Sequence, residues 1–149
     1  MAFPIDSTSI THGIQLAVAP VFLLTAVSGM IGAVAGRLAR IIDRARLVED
    51  RARSADGEAL ERAMRELLQL RTRGRLANGC IALLTTCAFL IGLTIIVLFL
   101  GEAGGLNISR WAVGSFLAGV VCFLAALLCF LLETFLATRL LNFRLIRGS

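Results

Sequence analysis

The chain has no lysine and no tyrosine, and its 149 residues include one histidine, one tryptophan and two prolines. All fifteen basic residues are therefore arginine. Charge is scarce, at 17% of residues, against about a quarter in an average soluble chain. With 58% hydrophobic residues and a mean hydropathy of +0.86, this excludes an ordinary soluble enzyme and a disordered tail. The length allows a single domain, taken as residues 1–149.

Catalytic patterns are missing as well. There is no GxSxG, HExxH, phosphate-binding loop or GxGxxG after a strand. The four cysteines, Cys80, Cys87, Cys122 and Cys129, contain no CxxC. Within each pair the spacing of seven puts both thiols on one helix face, about 10 Å apart along it, too far for one tetrahedral site. A single histidine cannot complete such a site. The cysteines read as small packing residues, and the chain as a non-enzyme without metal or cofactor. His12 reads as an interfacial residue, with a pH sensor as the sharper alternative.

What is present is apolar and long. Residues 14–36, 79–100 and 111–132 are charge-free runs of 23, 22 and 22 residues. As helices they extend about 33–35 Å, enough for a hydrocarbon core of about 30 Å. Ala33-Val34-Ala35 imitates a signal-peptidase site, but no arginine precedes the first run. The run is also longer than a signal-peptide core, so it reads as a retained span.

Arginine placement orients the spans. Eleven arginines lie in 37–78 and three in the tail from Glu133, with the fifteenth at Arg110. Three spans put those fourteen on one side, which the positive-inside rule makes cytoplasmic, with the N-terminus outside. Trp111 then falls at the outer interface. The central arginines alternate with seven acids, and Glu49–Arg53, Glu58–Arg62 and Glu61–Arg65 are i,i+4 pairs of favourable polarity. That is a solvated helical face near anionic lipid rather than a nucleic-acid surface.

Residues 37–54 place Leu38, Ile41, Ala45 and Val48 at helical steps. Residues 58–75 do the same with Leu60, Ala63, Met64, Leu67 and Leu70. Between them Ser54-Ala55-Asp56-Gly57 is turn chemistry. The expected fold class is an all-α membrane protein: three transmembrane helices, with a cytoplasmic antiparallel helical hairpin over 37–75 between the first and second. With no proline or glycine between Arg37 and Arg53, the first span continues into the hairpin.

Glu133 ends the third apolar run, about 33 Å from Trp111, at the inner boundary rather than mid-membrane. It reads as a structural ion-pair residue with Arg37, Arg75 or Arg139 as partner. The first helix carries a stripe: Thr11, Gln15, Ala19, Phe22, Thr25, Gly29, Gly32, Gly36, Arg40 and Asp43 recur with a period of 3.56. This face is almost wholly small or polar, while Leu16, Leu23, Val27, Ile31, Val34, Leu38 and Ile41 form the opposite, apolar one. Two readings stand. One is close helix packing through the Ser28, Gly32, Gly36 series. The other is a pore lined by Gln15, Phe22, Thr25, Gly29, Gly32, Gly36 and Arg40, with Phe22 as a hydrophobic constriction and Arg40 at the cytoplasmic mouth. Packing between subunits around an axis satisfies both.

Two runs, IQLAVAPVFLLTAVSGMIG over 14–32 and GRLARIIDRARLVE over 36–49, resemble the bacterial membrane-protein family called domain of unknown function 2721. The resemblance covers most of the chain and implies a multi-pass protein of the bacterial inner membrane, with no activity or catalytic residues to carry over. The functional expectation is a homo-oligomeric pore or ion channel lined by the first helix. The alternative is a non-conducting scaffold or regulatory subunit whose Arg-rich hairpin contacts anionic lipid or a cytoplasmic protein partner.

Overall fold

The computed structural model describes residues 7–104 and 109–146, with side chains at 15, 17–101 and 110–137. All regular structure within them is α-helical: α1 (Ser7–Arg53), α2 (Glu58–Gly104) and α3 (Ser109–Ile146). Each contains a stretch long and apolar enough to cross a membrane. None breaks where an apolar run meets charged sequence. α2 passes through Asn78 and Gly79 uninterrupted, since an isolated glycine costs a helix only about 1 kcal/mol.

The turn between α1 and α2 is short because Gly57 takes φ of 58°, the left-handed region open to glycine. The Ser54 and Ala55 amides donate to the Arg51 and Ala52 carbonyls, and the Ala59 and Glu61 amides to the Asp56 and Gly57 carbonyls. These bonds satisfy groups that a helix end would otherwise orphan. Arg51 and Arg53 close α1, and Glu58 and Glu61 open α2; both placements suit the helix dipoles.

The helices form two compact units. One takes residues up to Ile31 together with Leu83–Leu124, the other Gly32–Ala82 and residues from Ala125 onward. Buried positions recur every seven residues in each helix: Pro20, Val27, Val34, Ile41 and Val48 on α1, and Ala112, Gly119, Ala126 and Glu133 on α3. On α2 two such rows alternate, Leu70, Ala77, Leu84 and Ile91 with Cys80, Cys87 and Thr94. Steps of three and four averaging 3.5 are the coiled-coil repeat. The two α2 rows lie about 50–60° apart and together make one buried face, wider than the single row of α1 or α3.

In the first unit Thr94 and Ser115 share a hydroxyl bond of 2.8 Å. A Cβ on Gly119 would stand 3.0 Å from the buried Ile91, so α2 and α3 approach closely there. In the second unit Ile41, Val48 and Leu70 form a core flanked by Ala45, Ala63 and Leu67. Arg44 braces it by donating from Nε and Nη2 to Glu66 at 3.0 and 2.8 Å. Met64, placed on this inner side by the sequence pattern, is exposed. It follows Ala63 directly and so points about 100° away from it.

Leu67→Asp should loosen these arms. A charge beside the Ile41–Leu70 core costs roughly 2 kcal/mol or more. Trypsin, which cuts after arginine, should cleave the 37–75 segment several-fold faster in the variant than in the wild type. Equal cleavage rates would contradict packed arms.

Candidate functional site

Two features stand out, one polar layer in the second unit and one helix face. The layer is built from one residue of each helix. Glu133 occupies a seam position of α3, so the packing that buries Ala126 one repeat earlier buries the carboxylate also; its side chain is 3% exposed. Arg37 of α1 reaches it with Nη1 at 2.9 Å from Oε2. Arg73 of α2 donates to Oε1 from Nε at 3.2 Å and Nη2 at 2.8 Å.

Arg37 is held further. Its Nη1 also donates to Thr134 Oγ1 at 2.8 Å, and that hydroxyl donates to the Phe130 carbonyl. Its guanidinium lies 5.0 Å from the centre of the Phe130 ring, within cation–π range. Arg73 lies one repeat before Cys80 on the same α2 seam, and so points at α3 as Cys80 does. The thiol of Cys80 donates to the Ala126 carbonyl at 3.3 Å.

The sequence pointed to Arg37, Arg75 or Arg139 as partners of Glu133. Arg75 is exposed, Arg73 takes its place, and the Arg139 side chain lies outside the described residues. The readable signal was the seven-residue row that contains both Arg73 and Cys80.

Glu133 thus takes two donors from Arg73 on Oε1 and one cation, Arg37, on Oε2, which ties α3 to both α1 and α2. Cys80 and Cys87 are buried free thiols, and Cys122 and Cys129 are half-buried ones. Among the described residues no three of His, Cys, Asp and Glu are grouped to hold a metal ion.

The second feature is the α1 face. Its apolar side enters the core through Val27, Val34 and Ile41. Gln15, Phe22, Thr25, Gly29, Gly32, Gly36 and Arg40 are all exposed, Phe22 to 73%. The Thr25 hydroxyl donates back to the Val21 carbonyl at 3.2 Å. A Cβ built on Gly29, Gly32 or Gly36 meets nothing within 4 Å, so no contact within the chain requires glycine there.

Surface composition separates α1 from the other helices. Every exposed residue between 25 and 36 is small: Thr25, Ala26, Ser28, Gly29, Gly32, Ala33, Ala35 and Gly36. α2 instead exposes Phe89, Leu93, Ile96, Phe99 and Leu100, and α3 exposes Leu117, Val121, Leu124, Leu128 and Leu132. Those bulky side chains suit hydrocarbon contact; α1 exposes Val18, Val21 and Phe22 in the same way, but none between 25 and 36.

No curated protein and no solved structure matches the chain. A family pattern does match, described as "Protein of unknown function (DUF2721)", over residues 17–143. That span takes in the α1 face from Phe22 onward, the α1–α2 turn and the Arg37–Arg73–Glu133 layer, and by this match the chain belongs to the DUF2721 family.

Proposed function

We propose that the chain is a multi-pass protein of a bacterial inner membrane that assembles through the small-residue face of α1 into a homo-oligomer, and that this face borders a central pore. The N-terminus is outside and the C-terminus and helical hairpin are cytoplasmic, as the arginine distribution favours. The role is not enzymatic. The observation that carries the proposal is the run of small exposed residues from Thr25 to Gly36, where α3 and the part of α2 from Phe89 on expose leucine, isoleucine, valine and phenylalanine. Hydrocarbon gives glycine no advantage, whereas close backbone approach does. Cyclic symmetry suits a chain whose two ends face fixed sides of a bilayer. Phe22 supplies a ring able to dewet a narrow lumen.

The test is ion flux into liposomes holding only the purified protein. Flux above that of empty liposomes supports the pore. An oligomer without flux selects the scaffold reading, which the exposed Met64 and Leu68 favour, since i,i+4 apolar residues on a solvated arm offer a partner an anchor.

The orientation has its own check. Single cysteines at Ser7 and Gly105, in a background lacking native thiols, should react with a membrane-impermeant reagent from the periplasmic side. A cysteine at Ala55 should react only after the membrane is opened. Gly105 lies outside the described residues, so its label tests the sequence-based topology alone. Labelling of Ser7 from the cytoplasmic side only would contradict the topology.

A further inference from the structure

Beside the Glu133 layer, in the same unit, α1 and α2 enclose an open cleft of about 280 Å³ lined by Arg37, Arg40, Ile41, Arg44, Leu70 and Arg73. At about 30 Å³ per water molecule, it has room for a phosphate group with its waters. Ile41 and Leu70 are buried and make an apolar floor, while four guanidiniums make the rim.

Their charges are not balanced. Glu133 is shared by Arg37 and Arg73, and Glu66 takes Arg44. Arg40 has no ion-pair partner among the described residues. Four cations therefore face two carboxylates, in a recess where the low-dielectric floor strengthens attraction for an anion. Planar guanidinium forks match the oxygens of a phosphate.

Position selects the source of that phosphate. Arg37 follows the last residue of the charge-free run over 14–36, and Arg44 lies seven residues, about 10 Å, further along. The headgroup layer of a bilayer occupies roughly 5–7 Å on each side of the hydrocarbon. The membrane side of the cleft, with Arg37 and Arg40, is thus at headgroup depth and Arg44 just beyond it, if the bilayer lies where the proposed function puts it; the inference rests on that placement but not on conduction.

We propose that this cleft is a binding site for a phosphate group, supplied by the headgroup of an anionic lipid. Arg40, which this assigns to the cleft rather than to the mouth of the pore, is its uncommitted cation, and Arg37, Arg44 and Arg73 are cations already oriented by their carboxylates.

The experiment is native mass spectrometry of the full chain in detergent, titrated with phosphatidylglycerol or with inorganic phosphate. The wild type, Arg40→Gln and Arg46→Gln are compared. Arg46 is an exposed α1 arginine outside the cleft, so its variant removes the same charge from elsewhere. Arg40→Gln should weaken phosphatidylglycerol binding roughly five- to tenfold, the worth of one charge-assisted contact, and Arg46→Gln less than twofold. Arg40→Lys should recover part of the loss by restoring the charge without the fork.

Binding of inorganic phosphate that depends on Arg40, with phosphatidylglycerol indifferent to it, would overturn the lipid source and keep the phosphate site. Equal effects of Arg40→Gln and Arg46→Gln on both probes, or none, would overturn the site. The same spectra report subunit number, so a failure of assembly is distinguished from a failure of lipid binding.

Discussion

Glu133→Gln should be among the most destabilising single substitutions in the chain. It leaves Arg37 and Arg73, exposed only to 30% and 23%, facing a neutral amide in place of their shared carboxylate. Breaking a buried pair from one side costs roughly 3–5 kcal/mol; the partial exposure of both arginines places this case near the lower end. For a chain of this size a loss of about 3 kcal/mol lowers the thermal midpoint by roughly 6–12 °C.

Replacing all three residues by apolar ones of similar length, Arg37→Met, Arg73→Met and Glu133→Leu, should recover much of that loss, because no unpaired charge remains. A triple variant no more stable than Glu133→Gln would mean that the layer contributes by attraction rather than by avoiding orphaned charge. A Glu133→Gln midpoint equal to that of the wild type would contradict the clasp itself.

Gly32→Leu should abolish assembly while leaving the single chain intact. Within the chain there is open space at Gly32, and leucine forms helix better than glycine by nearly 1 kcal/mol, so the protomer has no reason to unfold. Between chains, a leucine wedges apart backbones that meet through Ser28, Gly32 and Gly36. The detergent-extracted particle should fall to monomer mass with unchanged helicity.

On the opposite side, Ile31→Leu is nearly isosteric and should be silent. Phe22→Ala should retain assembly and raise ion leak by removing the dewetting ring. Wild-type mass for Gly32→Leu would place this face against lipid and remove both the packing and the pore readings.

The outline of this fold was legible because its signals are long or local. Three charge-free runs of more than twenty residues leave little choice but membrane-length helices, and Gly57 marks a turn through its own conformational freedom. Helix ends were less legible. No breaker separates 75 from 79 strongly enough to end α2, so the hairpin arm and the apolar run form one helix.

The core side of α1 was legible: Val27, Val34, Ile41 and Val48 fall on its apolar side and are buried. Their seven-residue spacing stood out less, because the clearer periodicity of α1 belongs to its exposed face, where small residues contrast with everything around them. Met64 was misplaced because a five-residue inner set is wider than the 3-4-3 steps of Leu60, Ala63, Leu67 and Leu70 allow. Arg73 was missed for a different reason. The seven-residue row of Cys80 and Cys87 extends back to Arg73 and so singles it out on α2, but the charge-free run that drew attention to those cysteines starts only at Gly79.

The α1 face is the centre of the account, and disulfide trapping tests it most directly. Ser28→Cys, a nearly isosteric change on that face, is placed in a chain otherwise free of cysteine and oxidised in the membrane with copper–phenanthroline. Leu128→Cys, on the exposed apolar surface of α3, is treated alike. Ser28→Cys should run as a covalent dimer that collapses on reduction, and Leu128→Cys should stay monomeric. A monomeric Ser28→Cys, or equal trapping at both positions, would contradict assembly through this face.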